Sequence, residues 1–267
     1  MKKLGFIGAG NMAGALVRGL LATKRYRARD VWASDAEPRQ CRRLARAHGI
    51  ATAADNATLV ASTEVVVLAV KPQVMDAVLA ELRPYVGRQL FVSIAAGVPT
   101  ARLEAGLGGR ARIVRAMPNT PALVGAGITV VIRGKKATAA DERVASALFG
   151  GVGDVVRVRD EALMDAVTGL SGSGPAYVYR FAEGLIAGAV AEGLPEPMAR
   201  RLAYQTVRGA AVMLQETGRS PEELREMVTS PGGTTLAGME ALEARGFATV
   251  VADGVRAATR RSRELGR

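Results

Sequence analysis

The stretch "KLGFIGAGNMAGALVRGLLA" (3–22) constrains the fold more than any other part of the 267-residue chain. Gly8, Gly10 and Ala13 fit G-x-G-x-x-A, set between a short apolar strand and a segment whose Met12, Leu16 and Leu20 share one helical face. At such a junction Gly8 permits the tight turn and Gly10 lets the backbone approach a pyrophosphate. Ala13 allows the helix to pack closely on the strand. The free N–H groups at a helix start attract phosphate. The backbone of Gly8, Ala9, Gly10, Asn11 and Met12 is therefore the expected phosphate cradle of a dinucleotide site.

The first 159 residues continue the alternation that this junction begins. "DVWASD", "TEVVVLAVKP", "QLFVSIAAG", "ARIVRAMPN", "AGITVVIRG" and "GDVVRVRD" read as strands, and "PRQCRRLARAHG" and "TAADERVASALFG" as helices. The β-branched run "EVVVLAV" marks a strand buried on both faces. Strands alternating with helices imply a mainly parallel sheet with right-handed crossovers, here a Rossmann domain over residues 1–159. From about residue 160 the β-branched runs stop and helical spacing takes over, which predicts an all-α domain over 160–267. The segment after "SGSGP" is apolar nearly all round through Phe181, Leu185, Ile186 and Val190, with Gly184 and Gly188 between. A helix of that kind is buried on most sides, in a subunit interface or at the centre of a monomer.

The second strand ends at Asp35, where an acid binds a ribose 2′-hydroxyl and disfavours a 2′-phosphate. Ser34 and Arg39 stand beside it as candidates for holding that phosphate, so NADH and NADPH both stay open. Open α/β sheets bind ligands at the C-terminal ends of their strands. That selects Ala69, Val70, Lys71 and Pro72 in one exit and Ala95, Ala96 and Gly97 in another, with Asn56 as a further polar candidate. Lys71 is equally readable as a solvated surface charge. The single histidine, His48, sits late on a helix and away from any strand end. With one cysteine, Cys41, and one histidine, no metal site is expected.

The formal charge is +11 and the pI about 10.5. The basic residues are scattered and aromatics make up only 4% of the chain, which argues against a nucleic-acid interface and for a diffuse field that attracts anionic ligands. No apolar run reaches the ~20 residues that span a bilayer. The start resembles a secretory signal, but Gly5, Gly8, Gly10, Asn11 and Arg18 interrupt its apolar region, and the nucleotide motif explains them. A cytoplasmic chain without a membrane partner is expected.

Residues 160–267 contain no Lys, His, Asn or Cys. Chemistry performed there needs no strong general acid or base. Reduction of an imine meets that condition, because a C=N nitrogen is basic enough to be protonated near neutral pH. It also argues against a β-hydroxyacid dehydrogenase, in which a lysine of the helical domain does the acid–base work. "SPGGTT" (230–235) then stands out: Pro231, Gly232 and Gly233 make a turn, and Thr234 and Thr235 open a helix. Exposed N–H groups there form an anion site suited to a carboxylate. Ser173, before a second helix start at "GP", reads either as a wall of the site or as a cap.

Taken together, "GFIGAGNMA", "AVKPQ", "VSIAAGV", "RAMPNTPALVGAG", "TGLSGSGPAYVY" and "ETGRSPEELREMVTSPGGTTLAGMEALE" resemble the pyrroline-5-carboxylate reductases from about residue 3 to the C-terminus. The resemblance implies a Rossmann domain followed by an all-helical dimerisation domain, a homodimer that in some members forms larger rings, and NAD(P)H-dependent reduction of a cyclic imine carrying a carboxylate. It implies that the active site forms where helical domain and nicotinamide meet. The loop from Ser230 through Gly232, Gly233 and Thr234 to Thr235 would bind the carboxylate, and the Thr235 hydroxyl would contact the ring nitrogen. Asp35 falls in a variable part of the family pattern. Another Rossmann imine or deazaflavin reductase, or a non-catalytic dinucleotide sensor, is the alternative.

Overall fold

Strand β1 (Leu4–Ile7) lies between β2 (Val31–Ser34) and β4 (Val65–Leu68), parallel to both. The computed structural model in which this is seen describes residues 3–266. Beyond β2 comes the two-residue β3 (Ala51–Thr52); beyond β4 come β5 (Leu90–Ser93), β6 (Arg112–Met117), β7 (Gly127–Arg133) and β8 (Gly153–Arg157). The order across the sheet is β3-β2-β1-β4-β5-β6-β7-β8. Every pairing is parallel except β6 with β7. The direction of winding reverses between β1 and β4, and such a switch point opens the ligand crevice of a doubly wound sheet.

Helices α1 (Asn11–Ala22), α2 (Pro38–His48), α3 (Asn56–Ser62), α4 (Met75–Leu82), α5 (Thr100–Gly106) and α6 (Ala139–Phe149) supply the crossovers and cover the sheet. The period-two side-chain alternation of a strand decides which face each residue serves. Val65 and Val67 join Leu16, Phe6 and Phe149 in one core, while Val66 and Leu68 join Leu59, Leu79 and Phe91 in the other. Local signals set the helix ends. Pro38 stands in the first turn of α2, and Gly49 ends it at φ +68°. Asp55 caps α3 by accepting from Thr58 N at 2.7 Å, and Thr138 with Asp141 forms a capping box on α6.

The rest is helical: α7 (Leu163–Val167), α8 (Gly174–Ala191), α9 (Glu196–Glu216), α10 (Pro221–Glu226), α11 (Thr234–Glu243) and α12 (Phe247–Leu265). The chain packs as two compact units. One comprises the described residues up to Ser173 with those from Arg256 onward; the other is Gly174–Val255. The packing boundary thus differs from the change of periodicity at 159/160, for physical reasons. In the first unit Met164 of α7 is fully buried against Met117, Val130 and Ile132. Ser262, in the last turns of α12, donates to Asp165 at 2.6 Å. The second unit is thinly packed: α8 contains no buried residue, and Val178, Tyr179 and Phe181 are exposed.

Candidate active site

The glycine turn after β1 has the geometry a dinucleotide needs. Gly8 adopts φ +99°, and a Cβ there would lie 2.6 Å from the carbonyl oxygen of Ala69, so only glycine fits. Gly10 is the N-cap of α1 and is exposed; a Cβ built on it meets nothing within 4 Å. No side chain caps α1, so the first-turn N–H groups of Asn11 and Met12 are offered outward. Ala13 is buried against the sheet. Open space over uncapped N–H groups fits a pyrophosphate.

Asp35 stands at the end of β2, as the sequence predicts, with a further duty. Its Oδ2 accepts from Ala9 N at 2.7 Å and its Oδ1 from Glu37 N at 2.8 Å. The carboxylate therefore braces the glycine turn. Ser34, 2% exposed, donates to Oδ1 of Asn56 at 2.7 Å, and Asn56 Nδ2 donates to Glu81 at 2.9 Å. The structure thus brings Ser34, Asp35 and Asn56 to one edge of the β1 turn. Arg39 is exposed on the outer face of α2, grouped with Arg42, Arg43 and Arg46.

Ala69 follows β4, and its N–H donates to Ile7 O at 2.8 Å, which keeps the β4 exit beside the glycine turn. Val70 is partly buried, Pro72 opens a short 3₁₀ turn, and Lys71 is exposed with no side-chain hydrogen bond or ion pair among the described residues. After β5, Ala95 is buried, Ala96 is partly buried and Gly97 turns at φ +74°. A Cβ on Gly97 would stand 3.0 Å from Leu265 Cβ, so the end of α12 packs over this exit.

In the second unit Gly232 turns at φ +69°, and Gly233 N donates to Ser230 O at 3.0 Å. Gly233 is the N-cap of α11 with no side-chain cap, so the first N–H groups of Thr234 and Thr235 are unclaimed by any cap. A Cβ on Gly233 would lie 2.4 Å from Ser230 Oγ, which rotation of that hydroxyl relieves, and 3.0 Å from Ser230 O. Thr235 is half-buried; Ser230 and Thr234 are exposed. Ser173 follows a π-helical turn, Thr168–Gly172, and its N–H donates to Thr168 O at 2.9 Å. Its backbone is helical (φ −87°, ψ −24°), not the extended conformation of an N-cap. The capping reading of Ser173 is corrected accordingly: the preceding turn is already helical.

Burial, then the charge of Arg18, lowers the His48 imidazole from its ordinary range. Burial, then Asp35, raises the Cys41 thiol, which disfavours a thiolate. Among the described residues no group of three or more His, Cys, Asp or Glu could hold a metal, and no helix is long and apolar enough to cross a membrane. Sequence reading missed Glu81. Its position on α4, 25 residues from Asn56, gives no local signal, since only the sheet order brings α3 and α4 together.

Residues 161–265 match the family model for pyrroline-5-carboxylate reductase dimerisation, and residues 3–97 match that for NADP oxidoreductase, coenzyme F420-dependent. The pyrroline-5-carboxylate reductase of Synechocystis sp. is 46% identical over 267 residues, 99% of this chain and 98% of that relative. The solved pyrroline-5-carboxylate reductase of Coxiella burnetii superposes with a TM-score of 0.93 at 36% identity, covering 100% of this chain and 99% of that one. The Plasmodium falciparum pyrroline carboxylate reductase, solved with NADP bound, gives 0.89 at 31% identity, covering 100% and 98%.

Proposed function

This chain belongs to the pyrroline-5-carboxylate reductase family, and from that premise we propose that it reduces the C=N bond of 1-pyrroline-5-carboxylate with NADH or NADPH, giving L-proline. The observation that carries the substrate half is the uncapped N-terminus of α11 behind Gly232 and Gly233. It offers N–H groups to a carboxylate in a half of the chain without Lys, His, Asn or Cys.

The chain's own residues divide the work. The turn of Gly8, Ala9 and Gly10 gives the pyrophosphate room, the uncapped N–H groups of Asn11 and Met12 hold it, and Ser34, Asp35 and Asn56 meet the adenosine ribose. The exits Ala69–Pro72 and Ala95–Gly97 flank the remainder of the nucleotide. When bound, the reduced nicotinamide supplies a hydride to the imine carbon. Ser230, Gly232, Gly233 and Thr234 hold the carboxylate, Ser173 contributes to the wall, and the Thr235 hydroxyl hydrogen-bonds to the ring nitrogen that gains the proton. We keep 1–159 as the nucleotide-binding domain and 160–267 as the dimerisation and substrate domain.

A homodimer is part of this reading. It is supported by the match to the dimerisation family and by the bare apolar faces of α8 and α12, which line a groove of about 810 Å³ through Tyr177, Phe181, Leu185, Phe247 and Val251. A ring of dimers is the larger assembly to be distinguished by light scattering. Cytoplasmic action without a nucleic-acid partner completes the proposal and rests on the sequence reading.

The test is oxidation of NADH and of NADPH on pyrroline-5-carboxylate, with proline identified as product. Turnover with either dinucleotide is expected. Cofactor binding without turnover would instead make the chain a sensor, and turnover only with a deazaflavin would make it a different reductase.

A further inference from the structure

Four side chains fix the hydrogen-bonding polarity of the space at the end of β2. Ser34 has one hydroxyl proton, and it is given to Oδ1 of Asn56 at 2.7 Å. Asn56 gives an Nδ2 proton to Oε2 of Glu81 at 2.9 Å. Asp35 has no proton to give when ionised; both of its oxygens already accept from backbone N–H groups and keep further lone pairs. The space therefore presents the carboxylate of Asp35, the amide oxygen of Asn56 and the Ser34 oxygen as acceptors, against a single spare amide proton.

Glu81 decides this polarity. Turning the Asn56 amide over would set its oxygen against the Glu81 carboxylate, acceptor facing acceptor, and would point Nδ2 at Ser34. With Glu81 ionised, that orientation is disfavoured. A ribose 2′-hydroxyl is a donor and suits an acceptor-lined space. A 2′-phosphate is a multivalent acceptor and meets lone pairs and the negative charge of Asp35 there, with that of Glu81 behind Asn56. Arg39, the nearest cation in sequence, shares a cleft of about 510 Å³ on the outer face of α2 with Arg42, Arg43 and Arg46. It makes no hydrogen bond or ion pair with Ser34, Asp35 or Asn56 among the described residues.

We propose that Glu81 is a positioning residue for cofactor choice: it holds the Asn56 amide with its oxygen toward Ser34, so the site selects a 2′-hydroxyl and the chain prefers NADH to NADPH. This rests on the dinucleotide reading above and names which dinucleotide is taken.

The experiment uses the full chain and reads binding, not turnover. Dissociation constants for NADH and NADPH are measured by fluorescence titration, and those for ADP and adenosine 2′,5′-bisphosphate by calorimetry, since these fragments report the ribose end alone. The unaltered chain is expected to bind NADH and ADP more tightly than their 2′-phosphorylated counterparts. Glu81→Gln can donate to a reversed Asn56 amide and carries no charge. It should move the NADPH-to-NADH ratio roughly tenfold toward NADPH, the equivalent of one hydrogen bond to a charged group. Asp76→Asn removes an equal charge from the same helix without touching Asn56 and should leave the ratio near its starting value.

A merely structural Glu81 would weaken both dinucleotides alike, and an unchanged ratio overturns the proposal. So does an unaltered chain that prefers NADPH, or an Asp76→Asn shift as large as that of Glu81→Gln. If the unaltered chain binds neither dinucleotide nor either fragment, the dinucleotide reading itself falls, and this proposal with it.

Discussion

Nη1 of Arg115 donates to Oε1 of Glu161 at 2.9 Å, tying β6 to the turn before α7. The same carboxylate accepts from Thr100 N at 2.8 Å and Thr100 Oγ1 at 2.5 Å, so one acid joins β6, the start of α5 and the α7 turn. The Arg115 side chain is only 4% exposed, and its Nη2 is buried with no hydrogen-bond partner among the described residues. Its charge is therefore compensated chiefly by Glu161.

The two ends of this pair are not equivalent. Glu161→Ala strands a buried guanidinium, a change that costs about 3–5 kcal/mol. For a chain of this size that is a fall in melting temperature on the order of 6–20 °C. Arg115→Met leaves Glu161 partly exposed and still bonded to Thr100, and is expected to cost less than half as much. Thermal melts of both single variants and the double variant measure it. Equal losses from the two single changes would show that the pair is not the asymmetric device its burial implies.

Asp35 carries a second prediction. Its place after β2 marks it as a ribose ligand; the structure adds its bonds to Ala9 and Glu37. Asp35→Ser should raise the use of NADPH relative to NADH, because a negative charge leaves the proposed ribose site. It should also weaken both dinucleotides, since Ala9 N–H loses its acceptor at the phosphate turn. Kd values for the two cofactors separate these effects. An unchanged ratio would remove Asp35 from cofactor discrimination, and an unchanged NADH affinity would remove it from bracing the turn.

Assembly supplies a third. Phe181 is 41% exposed in the single chain and packs on Phe247 with ring centroids 6.0 Å apart, beside the apolar groove of α8. A second copy of this chain covers that face in the proposed dimer. Phe181→Glu would bury a charge there and is expected to dissociate or unfold the protein. Light scattering and circular dichroism read the outcome; a folded, fully active monomer would contradict the interface.

What was legible in the sequence was whatever local chemistry dictates. The Val65–Leu68 strand showed itself through consecutive β-branched residues, the glycine turn through its spacing, and α8 through apolar residues nearly all round. The short helices α3, α4 and α5 and the two-residue β3 were not named, because seven or eight residues carry too little periodicity to read. Long-range pairs were invisible for another reason. Glu81 meets Asn56 across 25 residues and Arg115 meets Glu161 across 46, and only the sheet order makes either pair neighbours. The π turn before Ser173 also has no spacing signature.

The last prediction concerns Thr235. It stands in the first turn of α11, half-buried, beside N–H groups that no side chain caps. Residues 160–267 contain no Lys, His or Cys, so among their uncharged side chains a hydroxyl is the natural group to address an imine nitrogen. Thr235→Val keeps the shape and removes only that hydroxyl. A positioned general acid contributes about 10²–10⁴-fold. Here the loss in kcat should lie at or below the low end, because a cyclic imine is already partly protonated at neutral pH. The loss should widen as pH rises and the free iminium becomes scarce, since the variant then has no donor in its place. Cofactor affinity should hardly move, because the proposed dinucleotide contacts are made by other residues. The measurement is kcat/KM for both proteins from mildly acidic to alkaline pH. Profiles that stay parallel would leave Thr235 a positioning role without proton donation, and no loss at any pH would take it out of the mechanism.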